Sequence, residues 1–233
     1  MNKIIGTDHE RVFMAVVGPS GCGKSRLVYD LLRHKVFKPP FDRILFFYET
    51  FQPLYVTMQK HVKNLEFIQG VDFELINALP NNGDKYLLVF DDSCEEISKS
   101  SEFVKLATAG RHRNLNVIYI KHNLYHKSPK GRDAELQLTH LVLFKSPRDV
   151  HQIAKLSQQL GLGSELVEWY KNETQLPFSH LMIDLCPRTL DVLRYSSEFN
   201  PTVFYLPNSK ARITIIDDEH TFGKDTWNIP QTP

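Results

Sequence analysis

Short apolar runs alternate along this chain with stretches in which apolar side chains recur every three or four positions, the sequence form of a parallel sheet covered by helices. The runs predict strands over Arg11–Val17, Arg43–Tyr48, Tyr86–Asp91, Asn116–Lys121 and His140–Phe144. The helical spacing predicts Ser25–Arg33, Glu96–Ala109, Asp149–Leu160 and Ser164–Tyr170, the third opened by the start signal Ser146-Pro147-Arg148-Asp149. Pro39-Pro40 and Pro80-Asn81-Asn82-Gly83 punctuate these units. Two further apolar stretches, His180–Leu185 and Asp191–Tyr195, flank Cys186-Pro187-Arg188-Thr189 and predict a hairpin added to the sheet edge. From about Asn208 the pattern weakens. The chain therefore divides into an α/β domain over 1–207 and a tail over 208–233, with Ile213–Ile216 and Trp227 as docking points.

Composition narrows this picture only slightly. At 233 residues, 42% apolar and 24% charged, the chain can bury one α/β core, whereas two full domains would be crowded. Lys plus Arg (28) nearly balances Asp plus Glu (27), so any contact with nucleic acid must come from local patches. Cys22, Cys94 and Cys186 are odd in number and widely spaced, which argues against a disulfide framework and a structural zinc and for a reducing compartment. Neither a signal-peptide pattern nor an apolar run of membrane-spanning length occurs, so a soluble protein without membrane contact is expected.

The chemistry begins where the first strand should turn into the first helix. Gly18-Pro19-Ser20-Gly21-Cys22-Gly23-Lys24-Ser25 has the spacing of a phosphate-binding loop in the strand-loop-helix context that the motif requires. Its glycines let successive backbone N–H groups face phosphate oxygens, and the helix N-terminus adds its positive end. Lys24 can then reach the outer phosphates, while the Ser25 hydroxyl suits the magnesium ion that accompanies the nucleotide. Cys22 is better read as a small residue in a tight turn than as a nucleophile.

The strand Leu87-Leu88-Val89-Phe90-Asp91-Asp92 ends in two carboxylates, and in a nucleotide-hydrolysing sheet that end lies at the phosphates. Asp91 is assigned to the magnesium shell and Asp92 to positioning or deprotonating the attacking water; their side chains should point to opposite faces, so one of them can instead be a helix cap. Glu49, at the end of its own strand, is a weaker candidate for the water. Next come Gly110-Arg111-His112-Arg113 before the strand Val117–Ile120 and Lys121-His122-Asn123 after it. Polar groups after that strand can sense the outermost phosphate, and an arginine before it can reach a neighbouring molecule's site. Both arginines also fit a solvated helix end. The stretch Lys121–Arg132, with Lys127, Lys130 and Arg132, reads as a basic loop able to hold a duplex through its phosphates. Among the ten histidines no pair, His122 and His126 included, has a Cys or acidic partner at metal-ligand spacing.

The loop, the Asp91-Asp92 strand and above all Gly110–Tyr119 followed by Asn123-Leu124 resemble the DNA-packaging ATPases of large eukaryotic DNA viruses, in particular the poxvirus-like form carried by Maverick/Polinton elements and adintoviruses, within the FtsK–HerA superfamily. The likeness continues through Leu141–Asp149 and into Leu181–Leu193. It implies a P-loop NTPase with a RecA/ASCE-like, mostly parallel sheet flanked by helices, using ATP and Mg2+. It further implies a homo-oligomeric ring around double-stranded DNA, capsid or portal proteins as partners, and an intracellular location with virion association left open. Under it, Arg111 matches the arginine finger, with Arg113 as a rival. His122 stands where the family usually has a sensor Gln, and its protonation would make turnover pH-sensitive near neutrality. Asp92 stands where many superfamily members have Glu. Two other classes fit the loop alone: a kinase of guanylate-kinase-like type, acting on a nucleotide or small molecule, and a nucleotide-dependent assembly protein. A Ser-Gly-Gly-Gln transporter signature and an Asn-Lys-x-Asp base-reading motif are missing.

Overall fold

The computed structural model describes residues 11–91, 97, 99–125, 128–197, 203–207 and 212–214. Ten strands form one sheet. In chain order the elements are β1 (Phe13–Val17), α1 (Lys24–Arg33), β2 (Arg43–Tyr48), α2 (Pro53–His61), β3 (Leu65–Gln69), α3 (Phe73–Ala78), β4 (Tyr86–Asp91) and α4 (Ser101–Ala109). A 3-10 turn, Gly110–Arg113, leads into β5 (Leu115–Lys121), α5 (Pro129–Glu135), β6 (His140–Phe144), α6 (Val150–Gln159), α7 (Glu165–Glu173) and β7 (His180–Asp184). After a second 3-10 turn, Asp191–Leu193, come β8 (Tyr195–Ser197), β9 (Val203–Tyr205) and β10 (Arg212–Thr214).

The spatial order is β10-β9-β8-β7-β6-β1-β5-β4-β2-β3. From β6 to β3 every neighbouring pair is parallel, so the carboxyl ends of those six strands share one edge. β7 to β10 continue the sheet antiparallel. The fold is thus α/β, with a mostly parallel sheet flanked by helices. β5 separates the phosphate-loop strand β1 from the carboxylate strand β4.

Strict alternation divides the core between the two faces. Phe13, Ala15 and Val17 join Tyr86, Leu88, Phe90, Val117 and Tyr119 under α4 and α7. Val12, Met14 and Val16 join Leu87, Val89, Ile118 and Ile120 under α1 and α2. By the same alternation Asp91 faces α1 and α2, whereas Lys121 faces α5.

Several expectations need adjustment. The hairpin after β7 exists, but its second arm is Tyr195–Ser197, with Ile183 opposite Tyr195. Asp191–Leu193 is a 3-10 turn because Arg194 draws the chain inward, donating to the carbonyls of Asp184 (2.8 Å), Cys186 (3.1 Å) and Thr189 (3.0 Å). The fourth helix starts at Ser101, where the Ser100 hydroxyl accepts from the Phe103 amide; Glu96 lies outside the described residues. Lys130 and Arg132 stand on a helix, not a loop, because Ser128 caps it and Pro129 opens it. Of the tail, Arg212–Thr214 forms the edge strand; Ile215, Ile216 and Trp227 lie outside the described residues.

Candidate nucleotide site

The loop joins β1 to α1 and is shaped by its glycines. Gly23, the residue before α1, has φ +102°, and no side chain caps the helix. Its first backbone N–H groups are therefore left for an anion. Gly18 is fixed by packing: a Cβ there would lie 2.7 Å from both Cys22 Sγ and Phe144 Cβ. The Gly18 amide donates to the Lys121 carbonyl at 3.1 Å, tying the loop to the end of β5.

Lys24 is buried, and its ammonium donates to the carbonyls of Gly18 and Pro19, both at 2.8 Å. That bend carries the charge back over the loop's own mouth. Ser25 Oγ donates to Asp91 Oδ2 at 2.7 Å, so the loop helix and the carboxylate strand meet even though β5 lies between their strands. A second hydroxyl, Tyr55 on α2, donates to the same oxygen at 2.9 Å. Asp91 is only 1% exposed, and the two hydroxyls satisfy that buried oxygen. The Cys22 thiol is pushed up by burial, with Lys24 opposing, so it stays protonated as a small turn residue.

Tyr55 is the functional side chain that motif reading missed. Its ring lies in a cluster with Phe67 (4.9 Å, stacked), Phe46 (5.1 Å) and Tyr48 (5.3 Å), which fixes the hydroxyl over Asp91. The available signal was Gln52-Pro53 at a helix start followed by Tyr55, because proline at the first helical position marks α2.

Arg111 and Arg113 lie at the amino end of β5, the far edge of the sheet from the phosphate loop. A seven-residue strand separates them from His122, about 20 Å at the usual rise. Arg113 donates to the carbonyls of Ile76, Asn77 and Leu79, closing the end of α3. Arg111 is exposed, and its Nε donates to His112 Nε2 at 3.3 Å. Beneath it, Arg11 donates to the Leu106, Ala107 and Leu115 carbonyls at 2.6, 2.6 and 2.7 Å. Burial, and secondarily the charge of Arg111, lower the Arg11 pKa to about 10. A Cβ on Gly110 would sit 2.7 Å from the Arg11 guanidinium, so a side chain there would displace that group.

His122 is exposed immediately after β5, and Glu49 is exposed after β2, both on the phosphate edge. Lys130 and Arg132 are exposed on α5. Asp92 and Lys127 lie outside the described residues. His140, Asp184 and Cys186 bring potential ligand atoms within 4.8 Å of one another, a grouping that sequence spacing hides. There the Cys186 amide donates to Asp184 Oδ1 at 2.9 Å and His140 Nδ1 pairs with Thr139 Oγ1 at 2.8 Å. An open concavity of about 850 Å3, lined by Arg43, Lys60, Asn64, Glu66 and Tyr86 among others, lies at the amino ends of β2 to β4, away from the phosphate loop.

The family model described as Poxvirus A32 protein matches residues 7–169. Among solved structures, the genome packaging NTPase B204 from Sulfolobus turreted icosahedral virus 2 in complex with AMP is similar, with TM-score 0.56, 17% identity, 82% of this chain and 98% of that chain covered. The AMPPCP complex of the same NTPase gives TM-score 0.53 and 16% identity over 76% of this chain and 94% of that one. The cytoplasmic domain of the Thermomonospora curvata type VII secretion ATPase EccC gives TM-score 0.50 and 13% identity, covering 79% of this chain and 25% of that one. These likenesses show the fold. No curated protein matches the chain, and among the described residues no helix is long and apolar enough to cross a membrane.

Proposed function

The chain belongs to the Poxvirus A32 protein family, and from that premise we propose that it is a viral genome-packaging ATPase that moves double-stranded DNA. The observation that carries the reading is the 2.7 Å contact between Ser25 and Asp91, which joins the phosphate loop to an acidic strand end. The B204 structures with AMP and AMPPCP support nucleotide binding on this fold.

The Ser25 hydroxyl and Asp91 carboxylate are hard oxygen donors of the kind that fits Mg2+. Bound there with ATP, the ion would neutralise charge on the β- and γ-phosphates. The chain's own groups do the rest. Backbone N–H groups from Gly21 to Ser25 hold the phosphates, and Lys24 exchanges the Gly18 and Pro19 carbonyls for the outer phosphate oxygens. Tyr55 keeps Asp91 aimed. Asp92 activates or positions the water, and His122 senses the γ-phosphate from the end of β5.

Arg111 cannot reach its own chain's loop from the opposite edge of the sheet, whereas on a neighbouring protomer it would complete the pocket as an arginine finger. Arg113, committed to the end of α3, is the weaker candidate. Such a finger calls for a homo-oligomeric ring, with DNA held by Lys130 and Arg132 on α5 and by Lys127. A capsid or portal protein would anchor the ring.

Phosphate release measured with and without linear duplex DNA tests the reading. Turnover should rise with DNA, vanish in Lys24→Ala and lose its DNA stimulation in Lys127→Ala/Lys130→Ala/Arg132→Ala, the stimulation weakening with salt. Turnover indifferent to Lys24 or to DNA would refute it.

A further inference from the structure

The segment between α7 and β7 lies against the phosphate loop and breaks a turn rule there. In Leu176-Pro177-Phe178-Ser179 the Ser179 amide donates to the Leu176 carbonyl, and the Ser179 hydroxyl does the same at 2.8 Å. Proline second and a positive φ third make the pattern of a type II turn, whose third position calls for glycine or asparagine. Phe178 occupies it at φ +67°. A bulky residue held there persists only where surroundings enforce it, and such residues gather at ligand clamps.

Core packing does not account for the ring, because Phe178 is 69% exposed. What it does touch is the loop. A Cβ on Gly23 would lie 3.0 Å from Phe178 Cδ1 and 3.7 Å from Phe144 Cε1, so Gly23 runs between two aromatic rings. Strand register builds this arrangement: β6 and β7 pair with Phe144 opposite His180, which brings the turn beside the loop. The His180 ring is buried against Phe144 (centroids 5.2 Å apart), which packs the strand end behind the turn. The result is an open aromatic face at the residue from which α1 begins.

We propose that Phe178 is the nucleobase platform of this site, its exposed face stacking on the base of a nucleoside triphosphate whose phosphates lie in the loop. The inference rests on the nucleotide-binding reading above and adds the base-contacting residue. Stacking uses the π-face that every base has, and the ring offers neither donor nor acceptor. Phe178 therefore contributes affinity without choosing adenine over guanine.

The test is calorimetric titration of ATP and of inorganic tripolyphosphate into the wild type, Phe178→Gly and Phe178→Tyr, with thermal midpoints and sedimentation of each protein. Phe178→Gly should weaken ATP about tenfold, within the range known for base-aromatic stacking, and leave tripolyphosphate binding unchanged. Its thermal midpoint should hold or rise, since glycine relieves the turn. Phe178→Tyr should bind ATP like the wild type. Equal loss of both ligands, or loss of neither, overturns the platform. Altered sedimentation with unchanged ATP affinity also overturns it and makes the ring a subunit contact. A wild type that binds neither ligand removes the nucleotide reading and the platform together.

Discussion

Lys121 and Glu135 form a buried ion pair that joins α5 to the strand end on which the phosphate loop hangs. The Lys121 side chain is 3% exposed and that of Glu135 14%; the ammonium also donates to the Leu124 carbonyl at 2.5 Å. Lys121→Met keeps the volume but leaves the Glu135 carboxylate against an apolar surface. Removing one partner of such a pair costs about 3–5 kcal/mol, which is a large part of the roughly 5–15 kcal/mol that stabilises a domain. At about 2–4 °C per kcal/mol, the thermal midpoint should fall by about 6–20 °C. Glu135→Gln should cost less, because the ammonium keeps the Leu124 carbonyl. The double variant Lys121→Met/Glu135→Leu replaces the pair with apolar surface and should return to within about 1 kcal/mol of the wild type. Denaturant titration of the wild type, Lys121→Met, Glu135→Leu and the double variant gives the coupling directly. If Lys121→Met alone costs under about 1 kcal/mol, or if the two single effects simply add, the pair is not the joint described here.

Tyr55→Phe keeps the stack with Phe67 and removes one hydrogen bond to a charged oxygen, so about 1.5–3 kcal/mol of stability should go; magnesium-dependent ATP binding should weaken with it, read by calorimetry. Arg113→Ala should lower the thermal midpoint because three carbonyls at the end of α3 lose their donor, whereas Arg111→Ala should abolish turnover with the midpoint unmoved. His180 has its pKa lowered to about 4 by burial, with the Phe178 backbone opposing. Because the unfolded chain binds that proton more readily, the stability from a neutral His180 is complete above about pH 6.5 and declines as pH falls toward 4. The total is about 3 kcal/mol, and His180→Phe should flatten that stretch of the stability-pH curve.

The parts of the site that were legible in the sequence are those whose chemistry is local. The phosphate loop reads from adjacent residues, and β4 reads because a buried parallel strand is an apolar run that stops where its carboxylate begins. Tyr55 did not read, because its partner is 36 residues away and α2 carries apolar side chains on more than one side. The segment after β5 misled for a different reason: Ser128-Pro129 is a helix start, yet proline and glycine nearby give it the look of a turn. Asp191–Tyr195 reads as a short apolar stretch between turn signals, but Arg194 has carbonyls to satisfy and pulls the first part into a turn. Arg11, Arg111 and Arg113 show the limit most plainly. The three side chains share one formal charge, but only the fold shows that two of them are tied to carbonyls while the third is presented outward.

Subunit mixing tests the central claim most directly. Lys24→Ala and Arg111→Ala proteins, each inactive alone, are combined and phosphate release is followed on linear duplex DNA. A mixed interface pairs the intact loop of one protomer with the intact arginine of the other, so activity should reappear and should peak at intermediate mixing ratios. Silence at every ratio, with mixed oligomers demonstrated, would contradict the claim that a neighbour completes the site.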